Sequence, residues 1–205
     1  MDKKIIITVG RQIGSGGRDV AKLLAEIFDC RLYDRELLNL AAKESGFSEK
    51  FFEQNDEHKG FFKSMFQMHS SFAECSFYRN EFSQENLFKF QSDAIVRAAS
   101  ESSCVFVGRC ADYILRDIPG KVDVFITADK EDRIARVVER KGCSREQAAK
   151  MIANGESDRA SYYNYYTGKR WGHSESYDLC VNSSILGIEG TAKFIEEFIK
   201  LKVEN

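Results

Sequence analysis

The sequence predicts an α/β fold: a parallel sheet in three layers, with helices covering both faces. Three observations predict it. Short apolar, β-branched runs alternate with amphipathic helical stretches along the whole chain. The runs are continuously apolar rather than alternating, as in strands buried on both faces. A glycine-rich turn joins the first run directly to the first helix, an arrangement that parallel α/β sheets place at the carboxyl ends of their strands.

The elements follow in order. Residues 4–9, KIIITV, form the first strand. Gly10 to Gly17 then interrupt regular structure. Val20, Leu23, Leu24, Ile27 and Phe28 recur at helical spacing, so the next helix packs one face on the sheet. Leu32–Tyr33 is a short second strand. Asp34 stands where it would cap a helix over 35–45, which Gly46 ends. Residues 47–83 hold nine phenylalanines among polar residues with weak periodicity, and read as a mostly helical insertion. A helix over 84–101, a strand at Cys104–Val107 and the pair Gly108-Arg109 come next. A short helix at 111–116, a turn at Pro119-Gly120 and a strand at Val122–Thr127 follow. Residues 130–141 form a helix closed by Gly142. Ser144 and Gln147 have the spacing of a capping box that opens a helix over about 145–160. A last strand over 177–181 and a helix over 188–202 complete one domain.

Composition narrows the function classes. The chain has 205 residues, 43% hydrophobic and 30% charged, with a formal net charge of −2. That balance argues against a whole-molecule attraction to nucleic acid. No stretch is long and apolar enough to span a membrane. Six scattered cysteines without a C-x-x-C pair read as reduced thiols, not a zinc site. The expected compartment is cytoplasmic.

The glycine loop carries the functional signal. Gly10, Gly14, Gly16 and Gly17 let the backbone turn tightly and bring several N–H groups together ahead of a helix N-terminus, an environment that suits phosphate oxygens. The pattern departs from the P-loop consensus G-x-x-x-x-G-K-[ST]. It is longer by about one residue, and Gly17, Arg18 and Asp19 occupy the lysine and hydroxyl positions. Phosphate binding here requires Arg18 or Arg11 to supply the missing charge. Ser15 is the candidate magnesium ligand. A plain strand–helix connection without ligand is the alternative.

Several stretches in sequence order resemble the cytidylate kinase-like family, a branch of the P-loop nucleoside monophosphate kinases. They are VGRQIGSGGRDVAKLLAE (9–26), LYDRELL (32–38), LFKFQSDAI (87–95), VFVGRCADYIL (105–115), VFITADKEDRIARV (124–137), DRASYYNYYTGKRWG (158–172) and YDLCVNSS (177–184). The resemblance implies a kinase fold with a lid at about 143–175 and an acceptor-side insertion at 47–83. It implies phosphoryl transfer from ATP, with Mg²⁺, to a nucleoside monophosphate or a related small metabolite. Gly10, Arg11, Gly14, Ser15, Gly16, Gly17 and Arg18 would bind the ATP phosphates. Asp34 and Arg109 would face the acceptor. Arg18, Arg109, Arg133, Asp158 and Arg159 would serve the reaction. A non-catalytic nucleotide sensor is the alternative that the missing lysine keeps open.

Two side-chain groups admit other readings. Arg133, Arg136 and Arg140 lie on one helix face, where they would either approach phosphate or pair in solvent with Glu131 and Glu139. The tyrosines at 162, 163, 165 and 166 would line a nucleotide-stacking lid or form an aromatic surface for a second subunit, giving a homodimer. A third class, a protein that docks partners through residues 47–90, rests on the aromatic stretch alone.

Overall fold

The structure is a computed structural model that describes residues 4–34 and 84–204. The expected helix over 35–45, the phenylalanine-rich insertion at 47–83 and Cys75 lie outside the described residues. The chain divides into two compact units, residues 1–35 with 95–205, and residues 36–94. The first contains the sheet.

Five strands, all parallel, form the sheet: β1 (Ile6–Arg11), β2 (Arg31–Tyr33), β3 (Cys104–Val107), β4 (Val122–Thr127) and β5 (Leu179–Asn182), in the order β2-β3-β1-β4-β5. The described helices are α1 (Gly17–Ile27), α2 (Gln84–Glu101), α3 (Ala111–Ile114), α4 (Lys130–Lys141), α5 (Arg145–Thr167) and α6 (Ser183–Glu204).

The order locates the crevice. From β1 the chain crosses to β2 on one side, and from β3 it crosses to β4 on the other. β1 and β3 are neighbours, so their outgoing turns diverge at a topological switch point. Ligand crevices in open α/β sheets form at that point.

Alternation along the strands builds two packed faces. Ile7, Val9, Val124 and Ile126 meet α1 and α6 through Val20, Leu24, Ile195 and Ile199, all fully buried. Phe125 points to the opposite face, where its ring meets Trp171 edge-on at 5.3 Å and Tyr177 at 4.9 Å. The helices α4 and α5 pack on each other through Ile134, Val137, Ala148 and Ile152.

Boundaries differ from the sequence reading where tertiary contacts intervene. β1 extends through Gly10 and Arg11 because both pair in register with Phe125 and Ile126 of β4. A side chain at Gly10 would sit 2.6 Å from the Phe125 ring, so this glycine serves sheet packing inside the strand. The long helix α5 does not stop near residue 160. It passes Gly155, whose missing side chain admits Ile13, and ends at Gly168 in a left-handed cap. The capping box of Ser144 and Gln147 opens it as expected. The final helix begins at Ser183, with a non-helical Gly187 dividing a first turn from the segment expected over 188–202.

Candidate functional site

The turn after β1 is held from outside by its carbonyl groups. Arg159 Nη1 donates to the Arg11 carbonyl at 2.8 Å, and Arg136 Nη1 to the Gly14 carbonyl at 3.1 Å. Ser183 Oγ donates to the Ser15 carbonyl at 2.7 Å, and Ser15 Oγ to the Gln12 carbonyl at 2.9 Å. Helices α4, α5 and α6 thus each contribute a donor. With these acceptors occupied, the turn presents donors: the amides of Gly14 and Gly16 have no hydrogen-bond acceptor among the described residues. Both glycines adopt positive φ, 80° and 73°, the geometry that gathers successive N–H groups into an anion nest.

Beside it, β3 ends in an unusual turn. Gly108, Arg109 and Cys110 all have left-handed backbone conformations, with φ of 74°, 59° and 57°. Two of the three are not glycine, so the turn stores strain. It aims Arg109 across the crevice, where its guanidinium lies 5.8 Å from the Tyr162 ring centroid. The following helix is anchored by Asp112, buried and accepting a 2.6 Å hydrogen bond from the Tyr163 hydroxyl of α5. Burial holds the Asp112 carboxyl above the usual carboxylate range.

Four guanidinium groups gather where these turns meet. Arg11 spans them: its stem lies on Gly17, and its head meets Gly108. Burial, and then the charges of Arg159, Arg109 and Arg18, push the Arg11 guanidinium down to about 9. Arg159 is likewise lowered by burial, with Arg109 and Arg140 adding to the effect while Glu156 opposes it. Among the described residues, Asp34 is the group whose charge opposes this lowering. Crowded like charges on partly desolvated groups favour a bound anion.

The expected site residues separate into those gathered and those diverted. Arg11, Arg18, Arg109 and Arg159 are electrostatic neighbours, and Gly14 and Gly16 line the adjoining turn. Asp34 forms an ion pair with Arg18, while the helix it would cap lies outside the described residues. Arg133 is diverted: its Nη1 pairs with Glu156 at 2.5 Å, and its Nε is buried without a partner among the described residues. Asp158 precedes Arg159 within α5, and no hydrogen bond among the described residues joins it to the cluster.

Ser15, the expected magnesium ligand, lies inside the turn. It is 0% exposed, and its hydroxyl donates to Gln12 and accepts from the Gly17 amide inside the turn. No group of three His, Cys, Asp or Glu side chains among the described residues is arranged to hold a metal. The donor set of the described residues therefore does not fit a resident metal ion.

Sequence reasoning missed Glu156 and gave Arg136 no definite role. Glu156 Oε1 accepts from the Ile13 amide at 3.3 Å as well as from Arg133, tying α5 to both the turn and α4. Nothing local marks a mid-helix glutamate for this task.

A parallel sheet of this order, with a glycine-rich turn after its central strand and an arginine-bearing turn beside it, defines the P-loop class of phosphate-binding α/β proteins. The chain belongs to the cytidylate kinase-like family, whose model matches residues 6–185. It is similar to a cytidylate kinase of Pyrococcus horikoshii, 27% identical over 198 residues that cover 96% of this chain and 88% of the relative. A crystal structure of an uncharacterized protein from Eubacterium ventriosum superposes with a TM-score of 0.74 at 30% identity, covering 96% of this chain and 99% of the other. Shikimate kinase from Bacteroides thetaiotaomicron shares the fold, with a TM-score of 0.54 at 13% identity over 96% of this chain and 98% of that one. Family and fold together point to a nucleotide-dependent phosphotransferase. Among the described residues no helix is long and apolar enough to cross a membrane.

Proposed function

We propose that the protein transfers the γ-phosphoryl group of ATP to a nucleoside monophosphate or a related small metabolite. The observation that carries this reading is the gathering of Arg11, Arg18, Arg109 and Arg159 at the crevice between β1 and β3. The nearby carboxylates Asp34 and Glu156 already have cationic partners, so the excess positive charge suits two phosphate-bearing substrates brought together.

On this reading the Gly14 and Gly16 amides hold donor phosphate oxygens. Arg109 faces the acceptor phosphate, and Arg159 approaches from α5. An acceptor oxygen forms its bond to the γ-phosphorus as the bond from that phosphorus to the bridging oxygen of ADP breaks. The residues act by placing two anions in line and by stabilising the charge that spreads over the transferring group. Magnesium would enter with the triphosphate and supply charge neutralisation there.

The test is an ADP-release assay over the nucleoside monophosphates, with calorimetric ATP binding in parallel. Turnover with at least one acceptor is expected. A folded chain that binds ATP yet turns over no acceptor is instead a nucleotide sensor, the reading that the glycine at position 17 favours. A folded chain that binds no ATP contradicts both.

A further inference from the structure

We propose that Arg11 supplies the phosphate-facing charge that P-loops ordinarily place on a lysine at the position of Gly17, and that side chains at positions 11 and 17 exclude one another. This inference rests on the triphosphate-binding reading above and assigns its principal cation.

The local backbone does not require glycine at position 17. Gly17 is the first residue of α1 and is not among the residues with positive φ. Lysine and alanine are both better helix formers than glycine. What excludes a side chain is Arg11. A Cβ at Gly17 would lie 2.5 Å from the Arg11 Cβ and 3.1 Å from its Cγ, closer than packed carbon atoms approach. The space that a lysine stem would leave through is filled by the arginine stem.

The arginine head lies at the crevice. A Cβ at Gly108 would collide with Arg11 Nη1, so the guanidinium lies against the turn after β3. Arg11 therefore runs from the end of β1, across the start of α1, to the turn that carries Arg109. No hydrogen-bond acceptor among the described residues meets its guanidinium. Arg18, the other candidate, pairs with Asp34 and is 51% exposed, so its charge is partly offset and shared with solvent. A guanidinium placed among Arg159, Arg109 and Arg18 is suited to grip two phosphate oxygens at once with its planar fork.

The two positions are thus alternative anchors for one charge. In the lysine arrangement it grows from the helix start. Here it grows from the strand end, and glycine at position 17 is the accommodation.

The test is calorimetric binding of ATP and of inorganic tripolyphosphate to the full chain, with circular dichroism and thermal melts confirming folding. Wild type is expected to bind both probes. Arg11→Gln, which keeps most of the stem, weakens binding at least about tenfold. Arg11→Gly weakens it similarly, and Arg11→Gly with Gly17→Lys regains at least about fivefold over Arg11→Gly alone. Gly17→Lys by itself lowers the melting temperature and does not tighten binding. Wild-type affinity in folded Arg11→Gln would overturn the inference, as would a folded double variant no tighter than Arg11→Gly. Should either glycine-bearing variant fail to fold, Arg11→Gln decides alone. A wild-type chain that binds neither probe would instead overturn the triphosphate-binding reading itself.

Discussion

The turns after β1 and β3 lie side by side at the carboxyl end of the sheet, yet they differ in what they present. After β1, the left-handed positions are Gly14 and Gly16, and donors from α4, α5 and α6 hold the surrounding carbonyl groups. After β3, Arg109 and Cys110 take left-handed conformations that glycine would adopt without strain. The first turn offers its backbone, so it needs residues without side chains. The second offers a side chain, so it keeps arginine where the backbone would favour glycine. On the proposed reading, the strain retained at Arg109 places its guanidinium beside the cationic crevice.

The comparison can be broken at several points. The largest effect is expected from Arg109→Ala, which keeps a Cβ in the strained position but removes the guanidinium. It should lower turnover about 10²–10³-fold, or 3–4 kcal/mol of barrier, with little change in melting temperature. Steady-state kinetics beside a thermal melt check this, and retained turnover would remove Arg109 from the reaction.

Gly14→Ala should cost about 2–4 kcal/mol of stability in urea unfolding. Its Cβ would meet the Arg133 carbonyl oxygen at 2.5 Å, a backbone atom that cannot swing aside, in addition to the positive φ. A loss below 1 kcal/mol would show that the β1 turn is looser than its four pinned carbonyls imply.

Tyr163→Phe should cost about 1–3 kcal/mol, because it leaves the buried Asp112 carboxyl without its donor. Asp112 also sets a pH dependence. Its folded value is raised by burial, so the folded chain binds a proton that the unfolded chain releases. Its contribution to stability is full below the ordinary carboxylate range and is lost as pH rises through the raised value. Melts of wild type and Asp112→Asn across that range should differ in slope in this sense. The smallest effect is one of stability and sharpens the contrast: Arg109→Gly should stabilise the fold by about 1 kcal/mol while lowering turnover as far as Arg109→Ala does. An Arg109→Gly variant less stable than wild type would show that the strained turn is held by contacts of the arginine itself.

Much of the fold was readable from local pattern. Continuous β-branched runs such as IIITV and VFIT became central parallel strands, and Ser144, Gln147 and Gly142 bounded their helices as capping chemistry requires. The reading failed where a distant residue altered a local preference. Gly155 lies within a helix of 23 residues because Ile13 occupies the space its side chain would take. Arg133, Arg136 and Arg140 shared one sequence description but have different surroundings: a half-buried pair with Glu156, a loop carbonyl, and an exposed face.

Periodicity, apolar runs, caps and the glycine-rich turn act over a few residues, so the order of residues alone specified the sheet, its helices and a phosphate-loop candidate. Partnership among charges does not act over that range. Glu156 reaches Arg133 and the Ile13 amide, Arg159 reaches the Arg11 carbonyl, and Arg11 reaches Gly108 across separations that no local pattern records. Burial and Coulomb energy depend on distance in space, and folding alone sets that distance. The assembled chain therefore decided which arginines lie together, which pair with a carboxylate or a carbonyl, and that the Arg11 stem fills the space beside residue 17.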